Sequence, residues 1–321
     1  MALELIKETW SSSINTVTIG ATKQEGGSRG STITVGGETG LSFLHQETKM
    51  PHQPQLVFEI WDIEPDWPDS LKAQYDAGIL KNTLEWAKVC KEKFQAKGLA
   101  LRLAGIHPDN GNKPADSIVK LVQDLLKTVD LPLIILGCND EVKDNEVLPK
   151  ISEATKGERL LFGEAVQDNY KTLVVSLLAD GHSIIAQSPI DINIAKQLNI
   201  LISDMGFPAE RIVINPTVGA LGYGLEYAYS IMERARLAAL AGDTMLAMPF
   251  VCLVGQEAWR AKEAKATSDE VPEWGSQTER GLLWEALTAS TFLQAGADLL
   301  VMRHPQAVKS VQEFVDKLME K

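Results

Sequence analysis

The sequence predicts an α/β protein, a (β/α)8 TIM barrel with an N-terminal β-hairpin, on three observations. From Gln55 onward, apolar strand-like segments alternate with amphipathic helical segments, eight of each. The strand-like segments are almost continuously apolar, which is typical of a parallel sheet buried on both faces. The stretch from Gln55 to Lys321 also has the length of about 250 residues that such a barrel needs.

The first element in the chain is the hairpin. Residues 15–20 (Asn-Thr-Val-Thr-Ile-Gly) and 31–36 (Ser-Thr-Ile-Thr-Val-Gly) alternate with period two, and residues 26–30 between them favour a turn. The glycines of this turn could cradle a phosphate, but the Lys-Ser/Thr helix start of a P-loop does not follow them. We therefore expect residues 1–54 to form a hairpin extension packed on the barrel, and residues 55–321 to form the barrel.

In the barrel, each expected strand is followed by a helix. The expected strands are residues 56–61, 99–104, 131–136, 159–162, 182–186, 211–214, 248–254 and 298–302. The helices expected after them span about residues 76–96, 115–128, 145–155, 170–179, 190–206, 225–241, 278–294 and 307–319. A doubly wound open sheet is the alternative. It predicts a glycine-rich turn after the first strand, and Trp-Asp-Ile-Glu-Pro at 61–65 contains no glycine.

Charge and hydropathy limit the classes of partner. The formal net charge is −12 with a sequence pI near 5.0, and no stretch concentrates Lys and Arg, which argues against nucleic acid and anionic membranes. The most apolar stretches, residues 131–138 and 245–255, are too short to span a bilayer. Residues 1–8 lack the basic-then-apolar order of a signal peptide. We therefore expect a cytoplasmic protein.

Metal and Schiff-base chemistry find little support in the sequence. Cys90, Cys138 and Cys252 lie far apart, so a zinc ribbon or iron–sulfur cluster is not expected, and each cysteine is predicted to be reduced and buried. No two of the five histidines have the spacing of metal ligands, which argues against a barrel metallohydrolase. The expected strands contain no lysine for a Schiff-base aldolase.

The loops that follow the strands form the functional face of a TIM barrel. Here these loops are rich in polar side chains, which predicts a binding face. Taken singly, each residue also fits a cap or turn, and Asp140 and Asp191 stand where helix N-caps belong. The polar residues after the strands are Asp62, Glu64, His107, Asp109, Asn110, Cys138, Asn139, Asp140, Glu164, Gln187, Ser188, Asp191, Asn215, Thr217, Gln256, Glu257, Arg303 and His304.

The most unusual of these loops is residues 215–224, Asn-Pro-Thr-Val-Gly-Ala-Leu-Gly-Tyr-Gly. Its glycines and small neighbours would let a flat ligand or a partner backbone approach closely. Leu221 and Tyr223 suit an apolar, flat partner better than a sugar or a phosphate. A long turn with a glycine-assisted helix start is the structural alternative.

Four motifs carry a family resemblance: Ile-Trp-Asp-Ile-Glu-Pro at 60–65, Gly-Cys-Asn-Asp at 137–140, Ala-Gln-Ser-Pro-Ile-Asp-Ile-Asn at 186–193, and Ile-Asn-Pro-Thr-Val-Gly-Ala-Leu-Gly-Tyr at 214–223. In these four motifs the chain resembles the small subunit of the corrinoid iron–sulfur protein, which is the delta subunit of the acetyl-CoA decarbonylase/synthase system. The resemblance covers nearly the whole chain, including the hairpin.

The resemblance implies a heterodimer with a large subunit that carries the iron–sulfur cluster and the corrinoid (cobalamin). The cobalt would accept a methyl group from methyltetrahydrofolate through a separate methyltransferase and pass it to acetyl-CoA synthase. This chain would be a non-catalytic or co-catalytic subunit whose barrel mouth helps enclose the shared corrinoid. It lacks the Asp-x-His-x-x-Gly signature of domains that ligate cobalt through histidine. The residues expected at the corrinoid are Asn139, Gln187, Asn215, Thr217, Gly219, Ala220, Leu221, Gly222 and Tyr223.

Two other functions stay open. The barrel also resembles, distantly, the pterin-binding methyltransferases, which implies a free-standing pterin-dependent methyltransferase in which Asp62, Asn139 and Asp140 hold the pterin. Gln187 and Asn215 stand where carboxylates are expected in such enzymes. The third possibility is a scaffold that never touches the cofactor.

Overall fold

The computed structural model describes residues 7–320; residues 1–6, part of the stretch without signal-peptide character, lie outside it. Within the described residues, a two-stranded antiparallel sheet precedes a closed barrel of eight parallel strands. The hairpin strands are β1 (Thr16–Ile19) and β2 (Ile33–Gly36). The barrel strands are β3 (Gln55–Trp61), β4 (Leu99–Arg102), β5 (Leu133–Leu136), β6 (Leu161–Ala165), β7 (Ser183–Gln187), β8 (Ile212–Asn215), β9 (Phe250–Cys252) and β10 (Ala297–Met302).

The barrel strands pair in chain order, and β10 pairs in parallel with β3 to close the ring. Phe58 lies opposite Leu99 between the first two strands, and Leu300 lies opposite Leu56 at the closure. The predicted TIM barrel with an N-terminal hairpin is therefore confirmed. The closed ring excludes the open-sheet alternative.

The helices surround the barrel, and none within residues 7–320 is long and apolar enough to cross a bilayer. The expected helix over 76–96 is shorter, because Gly78 has a φ of +83° and a new helix begins where the Asn82 side chain caps two backbone N–H groups. The helices are α1 (Asp69–Lys72), α2 (Thr83–Glu92), α3 (Ala115–Thr128), α4 (Glu141–Ala154), α5 (Tyr170–Asp180), α6 (Ile192–Asp204), α7 (Leu225–Leu240), α8 (Val254–Ala258), α9 (Lys262–Lys265), α10 (Gln277–Gln294) and α11 (Pro305–Met319).

The core has two parts. One lies between the strands and the helices, where α3 buries Ile118, Val122 and Leu125 at the three- and four-residue spacing of one helix face. The other fills the barrel itself with inward-pointing strand residues such as Val57 and Val213. The barrel is therefore packed over most of its length, and only its ends are open to ligands or to other chain segments.

The hairpin closes one of those ends. Val17, Ile19, Ile33 and Val35 are buried in the same cluster as the barrel interior. The backbone N–H groups of Asn15 and Gly20 donate to the carbonyls of Ala247 (2.6 Å) and Arg159 (2.7 Å), which lie in the connections before β9 and β6. These connections are at the N-terminal ends of the strands. The hairpin therefore plugs the bottom of the barrel and leaves the C-terminal end, the mouth, as the opposite opening.

The Arg29 side chain fastens this plug. It is 2% exposed, and its guanidinium donates to the carbonyls of Leu126 (2.5 Å), Val129 (2.7 Å) and Leu131 (3.2 Å). Its Nε also lies 3.0 Å from a carboxylate oxygen of Glu158. A buried guanidinium with this many partners is satisfied, and it joins the hairpin turn to the connection between α3 and β5.

Candidate functional site

The floor of the mouth is built from charged and amide side chains at or near the C-terminal ends of the strands. Side chains alternate along a strand, so Glu59, two residues after the interior Val57, again points into the barrel. Arg102 and Asn215 end β4 and β8, and Arg303 directly follows β10; all three are buried. The last interior layer before the mouth is therefore polar, whereas the layers beneath it are apolar.

One carboxylate of this floor lies between two guanidinium groups. Arg303 donates from Nε and Nη2 to the two oxygens of Glu59, at 2.6 and 3.0 Å. Nε of Arg102 lies 3.7 Å from the same carboxylate, and the Trp61 indole donates to it at 2.8 Å. Burial alone would raise the pKa of Glu59, but Arg303 and Arg102 outweigh it and hold that pKa below its usual range.

Further contacts extend these pairs across the barrel. Nη1 of Arg102 lies 3.3 Å from Glu164, which the sequence placed in a loop but which lies within β6. The Asn215 amide donates to the other Glu164 oxygen at 2.5 Å, and Arg102 donates to Gln256 at 2.8 Å. We call Glu59, Arg102, Glu164, Asn215, Gln256 and Arg303 the mouth network. Its two carboxylates balance its two guanidiniums, so the floor is rigid and close to neutral.

Above this network lies an open cavity of about 510 Å³. Three tryptophans border it, and the Arg303 guanidinium lies 5.6 Å from the Trp61 ring and 5.2 Å from the Trp67 ring. The lining combines these aromatic rings with charged and amide side chains, and such a mixed surface suits a ligand or partner with an apolar face and hydrogen-bonding edges. The lining residues are Trp61, Asp66, Trp67, Pro68, Arg102, Ala104, His107, Asp109, Asn110, Cys138, Asn139, Gln256, Trp259, Arg260, Lys265 and Arg303.

Of the residues predicted at the corrinoid, Asn139 lines this cavity, with a left-handed φ of +67°. Its neighbour Cys138 lines it too, so the prediction of three buried cysteines is wrong at this position, although Cys90 and Cys252 are buried. Burial, with a contribution from Asp144, raises the pKa of the Cys138 thiol to about 12. The thiol therefore stays protonated at neutral pH and is a poor metal ligand.

Gln187, Asn215 and Thr217 come together at the ends of β7 and β8. The Thr217 hydroxyl donates to the Ser188 carbonyl at 2.6 Å, and the Thr217 N–H donates to the Asn215 side chain at 3.1 Å. The Gln187 amide lies 3.5 Å from the same hydroxyl. These side chains hold one another at the edge of the mouth, and Asn215 is buried within the network.

The segment from Gly219 to Tyr223 packs sideways onto α10. The Leu221 N–H donates to the Thr288 hydroxyl (3.2 Å), and the Trp284 indole donates to the Leu221 carbonyl (3.0 Å). Ala220 is 1% exposed, so the surface of this loop consists mainly of Gly222 and the 49% exposed Tyr223. The sequence did not anticipate that most of the loop is engaged by a helix.

Tyr223 connects the loop to the mouth rim. Its hydroxyl donates to Glu263 at 2.8 Å and accepts from the Lys262 N–H at 3.0 Å. It borders a shallow depression together with Arg260 and Lys265, and these two cations also line the mouth cavity. The exposed part of the loop therefore lies beside the cavity.

The strand-end aspartates are mostly engaged. Asp140 and Asp191 cap α4 and α6, as predicted, by accepting backbone N–H groups at 2.9 and 2.7 Å. Asp62 accepts the Gly105 N–H at 2.8 Å and lies 3.3 Å from the Lys113 ammonium. Of the three residues suggested for a pterin, Asn139 alone is among those that line the cavity.

Sequence reasoning missed Glu59 and Arg102. Both interrupt strands that are otherwise apolar, Gln-Leu-Val-Phe-Glu-Ile-Trp and Leu-Ala-Leu-Arg. A charged residue inside a strand buried on both faces needs a buried partner, and this signal could have found them. Among the described residues, no group of three or more His, Cys, Asp or Glu side chains has an arrangement that could hold a metal ion.

Comparison with protein families gives a match over residues 16–314 to the model described as CO dehydrogenase/acetyl-CoA synthase delta subunit. The acetyl-CoA decarbonylase/synthase complex subunit delta of Archaeoglobus fulgidus is 36% identical over 320 residues, covering 98% of this chain and 70% of the relative. The subunit delta of Methanopyrus kandleri is 33% identical, covering 95% of this chain and 75% of the relative.

Solved structures of similar fold include dihydropteroate synthases. The Xanthomonas albilineans enzyme in complex with 7,8-dihydropteroate has a TM-score of 0.57 at 14% identity, covering 85% of this chain and 97% of that one. The Yersinia pestis enzyme with a pterine-sulfa conjugate has a TM-score of 0.55 at 12% identity, with coverages of 83% and 92%. At these identities the likeness shows the barrel fold alone.

Proposed function

The chain belongs to the CO dehydrogenase/acetyl-CoA synthase delta subunit family, and from this we propose that it is the small subunit of a heterodimeric corrinoid iron–sulfur methyl carrier. Its partner is a large subunit that carries the iron–sulfur cluster and holds the corrinoid. A methyltransferase supplies the methyl group from methyltetrahydrofolate, and acetyl-CoA synthase receives it. The role proposed for this chain is to help enclose the corrinoid, as a non-catalytic or co-catalytic subunit.

The observation that carries this proposal is the form of the barrel mouth. The other end of the barrel is plugged, whereas the mouth is an open cavity bordered by the half-buried Trp61 ring, the amide of Asn139 and several charged side chains. A corrinoid offers a broad, largely apolar face with amide groups at its edge, and such a ligand matches a cavity that combines an aromatic ring with polar side chains. The protonated thiol of Cys138 is a poor cobalt ligand, which fits a role in covering the corrinoid.

The rim residue Tyr223 provides the test of the docking face. We expect Tyr223→Ala to weaken association with the large subunit about tenfold, because a half-exposed tyrosine at an interface is a frequent centre of binding energy. The dissociation constant, the cobalt absorption spectrum and the methyl-transfer rate of the assembled complex are measured together. Gly222 is less suitable for substitution, because its φ of +77° strains any side chain placed there.

Two further variants show whether weaker association in Tyr223→Ala comes from the lost ring, from a disordered loop or from a general loss of surface area. Tyr223→Phe keeps the ring and loses the hydrogen bonds to Glu263 and Lys262, so it reports on loop order alone. Val175→Ala truncates an apolar side chain that is 62% exposed on α5, away from the mouth loops, and is expected to bind like wild type. Wild-type affinity and an unchanged cobalt spectrum in Tyr223→Ala would remove this loop from the interface and favour the scaffold role.

A free-standing pterin-dependent methyltransferase is the second candidate function. The observation in its favour is the cavity itself, because the half-buried Trp61 ring borders it and could contact a flat heterocycle with Asn139 at its edge. Against it, Asp62 and Asp140 already have partners in the fold.

Binding to the isolated chain separates the two candidates. We expect methyltetrahydrofolate to bind more weakly than about 1 mM, measured by the fluorescence of the cavity tryptophans. Asn139→Gly, which tolerates the left-handed φ and lacks the amide, serves as the control and should give the same curve. Submillimolar binding that Asn139→Gly abolishes would instead establish the pterin site.

A further inference from the structure

A buried cluster of ionisable groups lies away from the mouth, where the segment after the hairpin crosses the barrel bottom. Glu38, in this segment, is 2% exposed and faces Arg236 of α7 and Asp298 of β10, which are 1% and 3% exposed. Nη2 of Arg236 donates to Asp298 at 2.8 Å and to the Gly296 carbonyl at 2.5 Å. The Phe250 N–H donates to the same Asp298 oxygen at 2.7 Å.

Glu38 and Arg236 both have buried side-chain atoms without a hydrogen-bond partner among the described residues, which for Arg236 are Nε and Nη1. For Glu38 the atom is Oε2, which lies 3.8 Å from Nη1 of Arg236. The charged groups that face it are Arg236 from α7 and Asp298 from β10, and the neutral thiol of Cys252 approaches Asp298 from β9. Two carboxylates therefore share one guanidinium out of contact with water.

Such a site favours the uptake of one proton, because a second buried negative charge lacks a counter-ion. Asp298 has two strong donors, so the proton belongs on Glu38. Burial, and then repulsion from Asp298, raise the pKa of Glu38 to about 8, although Arg236 acts in the opposite direction.

The backbone around Glu38 joins two parts of the N-terminal segment. The Glu38 carbonyl accepts the Ile14 N–H at 2.9 Å, and the next residue, Thr39, donates to the Lys49 carbonyl at 3.2 Å. We infer that Glu38 is a proton-operated latch, whose neutral form holds residues 37–50 against the barrel bottom and whose ionised form releases them. The latch is independent of the mouth and of the function proposed for it.

Release of residues 37–50 depends on pH because it is coupled to the loss of a proton from Glu38. The latched state binds the proton more tightly than the released state, in which Glu38 has the pKa of an exposed carboxyl. Release therefore becomes more favourable as the pH rises through the interval between these two pKa values, by at most about tenfold per pH unit. Above the upper pKa the release equilibrium no longer changes.

Hydrogen–deuterium exchange of the full chain tests this inference. We expect amide protection in residues 37–50, corrected for intrinsic exchange rates, to fall at least tenfold between about pH 6 and about pH 8. Glu38→Gln, a neutral isostere, should hold the protection at one level over this range. Glu47→Gln makes the same chemical change within the segment, outside the cluster, and should behave like wild type.

Wild-type protection that is constant over this range would overturn the latch, and this result needs no variant that might fold poorly. An undiminished pH dependence in Glu38→Gln would also overturn it, because another group would then be responsible.

Discussion

Replacing Val17 with aspartate should lower the free energy of unfolding by more than about 4 kcal/mol, a large fraction of the roughly 5–15 kcal/mol that stabilises a typical domain. Val17 is 0% exposed and lies among the interior side chains of the barrel, next to Ile19 of the same strand. An aspartate there would bury a carboxylate without a counter-ion and would remove the apolar plug of the barrel. Urea unfolding followed by circular dichroism measures the effect.

The control for this prediction lies on the same strand. Thr16 is exposed, so Thr16→Asp adds the same carboxylate on the solvent side of β1 and should change stability by less than about 1 kcal/mol. If Val17→Asp were as stable as Thr16→Asp, the hairpin could not be part of the barrel core. If Val17→Asp folded stably and also assembled normally with the large subunit, another subunit would have to hold the hairpin.

The second large effect concerns the mouth network. Glu59→Gln should lower the free energy of unfolding at neutral pH by about 3–5 kcal/mol, because it removes the ion-pair partner of the buried Arg303 and leaves the buried Arg102 with Glu164 as its remaining carboxylate. The variant keeps the size of the side chain, so the change reports charge and hydrogen bonding. Glu64→Gln, at an exposed carboxylate 3.8 Å from Lys81, is the control and should cost less than about 1 kcal/mol.

The pH dependence of the Glu59 effect gives an independent check. The pKa of Glu59 is lower in the fold than in the unfolded chain, so its ionised form contributes stability above the unfolded pKa. That contribution is lost as the pH falls through the folded pKa. The stability difference between wild type and Glu59→Gln should therefore be largest near neutral pH and shrink in acid. A difference that is constant from neutral pH to about pH 3 would show that the guanidiniums do not control this carboxylate.

Local sequence patterns were sufficient to predict the barrel, the hairpin and two helix caps. The strands are apolar runs, the hairpin alternates with period two, and Asp140 and Asp191 precede amphipathic segments. These features depend on neighbours in sequence. The family resemblance then indicated a role for the mouth that no single residue specified.

The arrangement of the site depends on pairs that are distant in sequence, which is why it could not be predicted. Arg303 and Glu59 are 244 positions apart and meet only because the last barrel strand pairs with the first.

The glycines of the 215–224 loop show a second reason why the sequence does not specify the site. Gly219 has no room for a side chain, because the Tyr223 carbonyl lies against it, and Gly224, with a φ of +88°, precedes α7. Glycine is favoured both where the chain packs closely against itself and where a ligand approaches the backbone. A glycine in the sequence therefore does not show which of the two applies.

The plug at the barrel bottom constrains the order of events during synthesis. The hairpin precedes the barrel in the chain, yet its contacts reach Arg159 and Ala247, and the interior it fills includes side chains of β10. At about 5–20 residues per second, the ribosome needs on the order of ten seconds or more to complete those strands. Until then the apolar face of an isolated hairpin has no stable place to pack. Such long-range contacts slow folding, so the apolar face of the newly made hairpin stays exposed until the last barrel strands are in place.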